Sequence, residues 1–222
     1  MIEEKKGVLP MNEFTKKYYN KRGQELVKHL TSRHFEAYYC ETKEQALQKA
    51  LELIPEGASV GWGGAMSAQE IGLMDAVRAG NYAAIDRDAV TDPAEKTAMM
   101  KKAMLADVFI TGANALSMDG QMVNIDGSGN RVAAIVYGPE TVLVIAGMNK
   151  VVDTLEDAVT RARTVAAPRN KQRFPFKTPC EVTGTCADCK SEGCICNQIL
   201  ITRNCRPVGR IKFVLVGEDL GL

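Results

Sequence analysis

Histidine, aromatic residues and long apolar runs are all scarce in this chain, and each shortage removes a class of function. The 222-residue sequence has two histidines, His29 and His34, both near its start. A zinc hydrolase needs two or three imidazoles at its metal, so a His-based one is not expected, and each histidine reads better as an ordinary helix residue. Phe, Trp and Tyr make up 6% of residues, too few for the stacking platforms of single-strand binding. An excess of one charge is missing too. The 28 Lys and Arg face 27 Asp and Glu, for a net charge of +1, which leaves no electrostatic footprint for nucleic acid. No apolar run approaches the roughly 18 residues of a membrane span. The opening stretch MIEEKKGVLPMNEFTKKYYNK has no apolar core of signal-peptide length. A cytoplasmic location is therefore expected, with thiols free or metal-bound rather than in disulfides.

Cysteine is present but oddly placed. Cys40 stands alone, and the other six of the seven fall in the last 43 residues. Five form one run, CEVTGTCADCKSEGCIC: Cys180, Cys186, Cys189, Cys194 and Cys196, with Cys205 following. Disulfides serving a core would be spread along the chain. A thiol run after an ordinary body points to a metal or iron–sulfur site added to a domain. Cys186-x2-Cys189 is a chelating spacing, but the ferredoxin spacing is absent, so the choice between an iron–sulfur cluster and zinc stays open. Reduced, unliganded thiols are the competing reading. Lys177, Lys190, Arg203 and Arg206 would either lower thiol pKa values or act as plain surface charges.

With 45% hydrophobic and 25% charged residues, the chain can bury a full core by itself. Residues 1–11 read as a tail, 12–176 as an α/β domain, 177–206 as a cysteine-rich segment, and 207–222 as a strand returning to the domain. Helical patterns are expected from Asn12 to Arg33, from Thr42 to Ile54, from Ser67 to Gly80, from Pro93 to Leu105 and over Leu155–Val165. Ser67 and Glu70 have the spacing of a capping box. Short apolar strands are expected at 35–40, 58–62, 82–85, 107–111, 132–137, 141–146 and 211–216. Strand–loop–helix repetition of this kind predicts an α/β fold with a largely parallel sheet.

Two polar segments interrupt the pattern. In GWGGAMSAQEIG, Gly61, Gly63 and Gly64 sit where a strand hands over to a helix. That setting suits either an anion at the helix start or merely a tight turn. Ser67 would add a hydroxyl, and Glu70 is a cap partner or a site carboxylate. Neither GxGxxG nor a P-loop is matched. In NALSMDGQMVNIDGSGNR, Asp119-Gly120 and Asp126-Gly127 are turn signals framing Met122–Ile125. Asn124 and Asp126 fall on one side of that extended stretch. Ser128, Gly129 and Asn130 offer an anion nest, and Arg131 a partner for a carboxylate or phosphate. The competing reading is a surface hairpin. Asp119 would serve as a proton-transfer base if a pocket raised its pKa, with Asn124 beside it. Lys150, after the 141–146 strand, is a further candidate cation.

Taken together, VGWGGAMSAQEIG (60–72), FITGANALSMDGQMVNIDGSGNRVAAIVYGPETVLVIAGMNKVV (109–152) and TPCEVTGTCADCKSEGCICN (178–197) resemble the LUD-domain family, the lactate-utilisation proteins of bacteria and archaea. The resemblance covers nearly the whole chain, and the tail is similar to a short-form subgroup with a C-terminal cysteine motif. Cys180, Cys186, Cys189 and Cys196 map onto that motif, while Cys194 stands where arginine is common. The resemblance implies a three-layer α/β/α Rossmann-like fold of the ribose-phosphate isomerase, glucosamine-phosphate isomerase and CoA-transferase group. It makes Gly63, Gly64, Ser67, Asp119, Asn124, Gly127, Ser128 and Asn130 pocket candidates. The CoA-transferase glutamate nucleophile has no counterpart here. It further implies an accessory part in oxidation of L-lactate or a similar small organic acid, with redox protein partners and a cysteine-held centre. Isomerase or transferase chemistry on a phosphorylated or CoA-linked molecule, a non-catalytic ligand or metal sensor, and pairing of two copies stay open beside it.

Overall fold

The computed structural model describes residues 11–222, so the tail read over 1–11 lies, but for Met11, outside the described residues. The strands are β1 (Glu36–Cys40), β2 (Ser59–Gly63), β3 (Ala83–Ile85), β4 (Val108–Gly112), β5 (Ala115–Ser117), β6 (Met122–Asp126), β7 (Thr141–Gly147), β8 (Val151–Val152), β9 (Gln198–Thr202) and β10 (Ile211–Val216). Six of them form one sheet in the order β1-β10-β7-β4-β2-β3, parallel throughout. A smaller sheet runs β8-β5-β6-β9. In it β6 is antiparallel to both β5 and β9.

The central strands are apolar on both faces because both faces are covered. Alternation along each strand sends residues to opposite cores. Leu143, Ile145, Val214 and Val216 pack with Val60, Trp62 and Ile110 against Ala46, Ala50, Leu73 and Val77 of the helices Lys43–Glu52 and Leu73–Ala79. Val142, Val144, Phe213 and Leu215 face the other way. They meet Leu26 and Leu30 of the helix Glu13–Ser32, and Leu116 and Met122 of the small sheet. Burying one such side chain contributes about 1.5–3 kcal/mol.

Helix starts follow local chemistry. Asn12 Oδ1 accepts from the Thr15 N–H at 2.9 Å, and Asp92 from Glu95 at 2.8 Å, with Pro93 in the first turn. Thr154 and Asp157 form a capping box.

Several sequence expectations need correction. No capping box forms at Ser67. The helix there spans Met66–Glu70 with Ala65 before it, then breaks at Gly72 (φ +79°) and resumes at Leu73. Ser67 is consequently an interior, buried residue. Of the stretch 132–137, read as a strand, only Tyr137 is extended, and residues 132–136 lie in the helix Asn130–Val136. Its apolar run fits either period, and two polar anchors decide. The Asp126 carboxylate accepts from the N–H groups of Arg131 (3.0 Å) and Val132 (3.2 Å), fixing the first turn. At the other end Arg210 donates to the carbonyls of Ala134 and Ile135. The helix Leu155–Arg161 continues through a π-helical turn, Ala162–Ala166, to Ala167–Lys171. Finally, β9 was hidden in the cysteine-rich tail. It pairs with β6 in the register Asn124 opposite Leu200.

Candidate functional site

From β2 the chain steps outward to the edge strand β3, then returns to β4 and proceeds the other way through β7 and β10. The order reverses between β2 and β4, and such switch points open a crevice beyond the strand carboxyl ends. A cavity of about 520 Å³ lies there, bordered by Gly64 after β2, Arg87 after β3, Asn114 after β4 and Lys150 after β7.

Gly64 has φ +61°, and a Cβ on it would lie 2.7 Å from Arg131 Nη1. Glycine is required there so that the guanidinium can lie against the turn. Arg131 is buried, its Nη2 donating to Asn114 Oδ1 (3.1 Å) and to the Ile125 carbonyl. Its Nε stands 3.9 Å from Asp126. Burial lowers its pKa, Asp126 opposes that, and Arg87 adds to it. The Asp126 carboxylate is engaged mainly with backbone, including the Gly127 N–H at 2.9 Å. Gly127, Ser128 and Asn130 also line the cavity.

Lys150 ends a single 3₁₀ turn, Met148–Lys150, and is only 4% exposed. Its Nζ donates to Ser67 Oγ at 3.0 Å, and no carboxylate of the described residues pairs with it. Burial pushes its pKa down to about 8; Arg161 and Arg131 add to this, and Glu70 opposes it. Glu70 itself faces the C-terminal segment, where it accepts from the Gly221 N–H at 3.0 Å, and it does not line the cavity.

The remaining sequence candidates sit elsewhere. Gly61 packs on Ala103, and Gly63 on Phe109 and next to Arg131. Gly129 precedes the helix Asn130–Val136 at φ +83°. Asn124 is fully buried on β6. Its Nδ2 donates to the Gly112 carbonyl (2.9 Å) and its Oδ1 has no partner. It braces the end of β4 without bordering the cavity. Asp119 is not brought to the cavity at all: it pairs with Arg33 (2.7 Å) and accepts from Ser117 and Gln121. Burial works to raise its pKa, but those hydrogen bonds and the Arg33 charge outweigh it and leave it below the ordinary value. That is the opposite of what a general base near neutral pH needs.

Sequence reasoning missed Arg87, Lys96 and Arg173, all of which border the cavity. Arg87 was readable in principle, since it follows a short strand in a parallel sheet, where ligand groups gather. Its Nε is buried with no hydrogen-bond partner. Lys96 and Arg173 carry no local signal.

A second cavity, of about 250 Å³, is lined by all five clustered thiols, Cys180, Cys186, Cys189, Cys194 and Cys196. Thr178 caps the short helix Pro179–Thr183 and stands 3.4 Å from Cys180 Sγ. Ser191 donates to Cys189 Sγ at 3.4 Å, which lowers that thiol's pKa. Burial, then the neighbouring Cys194, Cys186 and Cys180, push Cys196 up to about 12. The thiols thus feel one another. Among the described residues, however, no three His, Cys, Asp or Glu side chains are gathered as a metal site. Cys205 is apart and structural: its thiol donates to the Pro207 carbonyl (3.1 Å) and accepts from the Ile211 N–H. Cys194 and Ile195 border both cavities, so one short segment separates them. No helix of the described residues is long and apolar enough to cross a membrane.

The parallel sheet with a cation-bordered cavity at its switch point defines an α/β protein. The sequence profile of the LUD domain matches residues 23–216, and the chain belongs to that family. No curated protein matches it. Among solved structures it is similar to a DUF162 family protein from Deinococcus radiodurans, with 12% identity and a TM-score of 0.49, over 93% of this chain and 99% of that one. It is also similar to ribose 5-phosphate isomerase A from Methanocaldococcus jannaschii, with 16% identity and a TM-score of 0.32, over 51% and 55%. Neither likeness carries an argument about function.

Proposed function

We propose that this LUD-domain protein holds a small organic acid anion in the switch-point cavity. In this reading it is an accessory component in oxidation of L-lactate or a similar acid, with a thiolate-bound centre in the adjoining cysteine cavity. One observation carries the reading. Arg87, Lys96, Arg131, Lys150 and Arg173 border the cavity against Asp88, Asp126 and Glu192, and buried Lys150 has no carboxylate partner. A buried cation without a counter-charge is costly, and an anionic ligand relieves it.

The donor set suits a soft metal, since five thiols converge on one cavity. A single zinc needs sulfurs about 2.3 Å from one point, and no such gathering is formed. An iron–sulfur cluster is the centre proposed because the oxidation needs a redox group, which zinc does not supply. Cys180, Cys186, Cys189 and Cys196 would hold it, with Cys194 extra. Such a centre supplies one-electron chemistry when bound. The residues of the first cavity would hold and orient the acid a few side chains away.

A second reading is isomerase- or transferase-type chemistry on a phosphorylated molecule. Its support is that five cations against three carboxylates leave an excess of two positive charges, which a phosphate matches better than one carboxylate does. Calorimetric titration of anaerobically purified protein with L-lactate, pyruvate and phosphate, beside iron, sulfide and zinc analysis, tests both. Saturable binding of the organic acids with iron and sulfide in equal amounts supports the first reading. Phosphate binding alone favours the second, and no binding rejects the cavity as an anion site.

A further inference from the structure

We propose that Lys150 captures carbonyl compounds covalently: its ε-amine adds to the carbonyl carbon of a small 2-oxo acid held in the switch-point cavity and forms an imine. This deepens the preceding reading and rests on it, because a 2-oxo acid is what oxidation of a 2-hydroxy acid yields.

A lysine that serves only structure is usually exposed, or is paired when buried. Lys150 is neither, being 4% exposed and unpaired with any described carboxylate. The nearby acid, Glu70, is held by the Gly221 backbone instead. Two stretches of backbone close on the amine. A Cβ at Gly221 would lie 2.9 Å from Nζ, and one at Gly112 4.0 Å away. Those glycines leave room for the nitrogen between two stretches of backbone, and Lys150 borders the cavity. Ser67 Oγ accepts one amine N–H at 3.0 Å, which makes Ser67 a positioning residue. Arg131 and Arg87 border the same cavity and suit the acid's carboxylate, although Arg87 Nε itself is buried 3.8 Å from Asp88. The same burial favours the neutral amine, which alone is nucleophilic.

The step balances without an oxidant. The nitrogen lone pair forms the C–N bond as the carbonyl π bond breaks. The oxygen takes up a proton, giving a carbinolamine. That hydroxyl then leaves as water while nitrogen loses its remaining proton and the C=N bond forms. No electrons change hands.

The experiment treats the full chain with pyruvate and sodium cyanoborohydride near pH 8, maps labelled peptides, and measures pyruvate binding by calorimetry without the reductant. The expected result is one carboxyethyl group per chain on Lys150, at least about tenfold above any other lysine, saturable in pyruvate and suppressed by propionate. Ser67→Ala should shift the pH midpoint of labelling, which a merely structural serine would not do. Lys150→Met, with circular dichroism to confirm folding, should lose the label. Pyruvate binding with label absent from Lys150, or spread evenly over the lysines, overturns the imine and leaves the anion site standing. Failure of pyruvate to bind overturns both.

Discussion

Replacing Gly64 by alanine puts two separable strains on the site, and a second glycine measures one of them alone. At φ +61° an L-residue is disfavoured by about 1–2 kcal/mol. The added Cβ would also fall 2.7 Å from Arg131 Nη1 and 2.9 Å from its Cδ, so the guanidinium must move. Moving it breaks hydrogen bonds to Asn114 and Ile125 made by a buried charge. Such bonds are worth about 1.5–3 kcal/mol. Losing even one of them puts the destabilisation at about 2.5–5 kcal/mol. Gly57 has a similar backbone angle, φ +76°, with nothing within 4 Å of a built Cβ. Gly57→Ala should therefore cost only about 1–2 kcal/mol. Urea denaturation of both variants gives the difference, and calorimetry shows whether Gly64→Ala alone weakens anion binding. Equal losses in the two variants would refute the claim that Gly64 exists to seat Arg131.

Lys150→Met should stabilise the fold by about 3 ± 1 kcal/mol below pH 8. The folded pKa of about 8 lies below the ordinary lysine value of 10.5. The lysine penalty is therefore full below pH 8 and fades as pH rises toward 10.5, so the variant's advantage should vanish over that window in pH-dependent unfolding. Asp119→Asn should lose at most about 1 kcal/mol, because its pair with Arg33 is half exposed, and should leave anion binding unchanged. With a depressed folded pKa, that contribution is present above the ordinary carboxylate range and is lost as pH falls through the folded value. Leu143→Ala, at a fully buried position of β7, should cost about 2–5 kcal/mol in denaturant unfolding. Cys186→Ser should lose metal or iron on anaerobic purification, whereas Cys194→Ser should keep it, as metal analysis will read.

The strands of the main sheet were legible because burial on both faces forces continuous apolar runs, as in VFITG and TVLVIAG. The helix Asn130–Val136 was not. Its sequence is indifferent, and the deciding groups, Asp126 and Arg210, act from outside it. Strand β9 was masked by thiols and polar residues, since its pairing with β6 comes from the tail folding back rather than from its own pattern. For the site, Gly64, Arg131 and Lys150 were each marked by local signals, but their meeting depends on strand order. Asp119 had the right neighbours in sequence and the wrong ones in space, because the turn at 119–121 reaches toward Arg33 and away from the carboxyl edge of the sheet. Lys96, on the helix Pro93–Ala103, and Arg173, in the turn after the helix Ala167–Lys171, reach the cavity only through tertiary packing.

Titration of L-lactate and pyruvate into wild-type protein and Lys150→Met by calorimetry bears most directly on the cavity reading. Saturable binding to the wild type, weakened about tenfold or more by loss of the buried cation, is the expected result. Equal binding by both proteins, or none by the wild type, would contradict it.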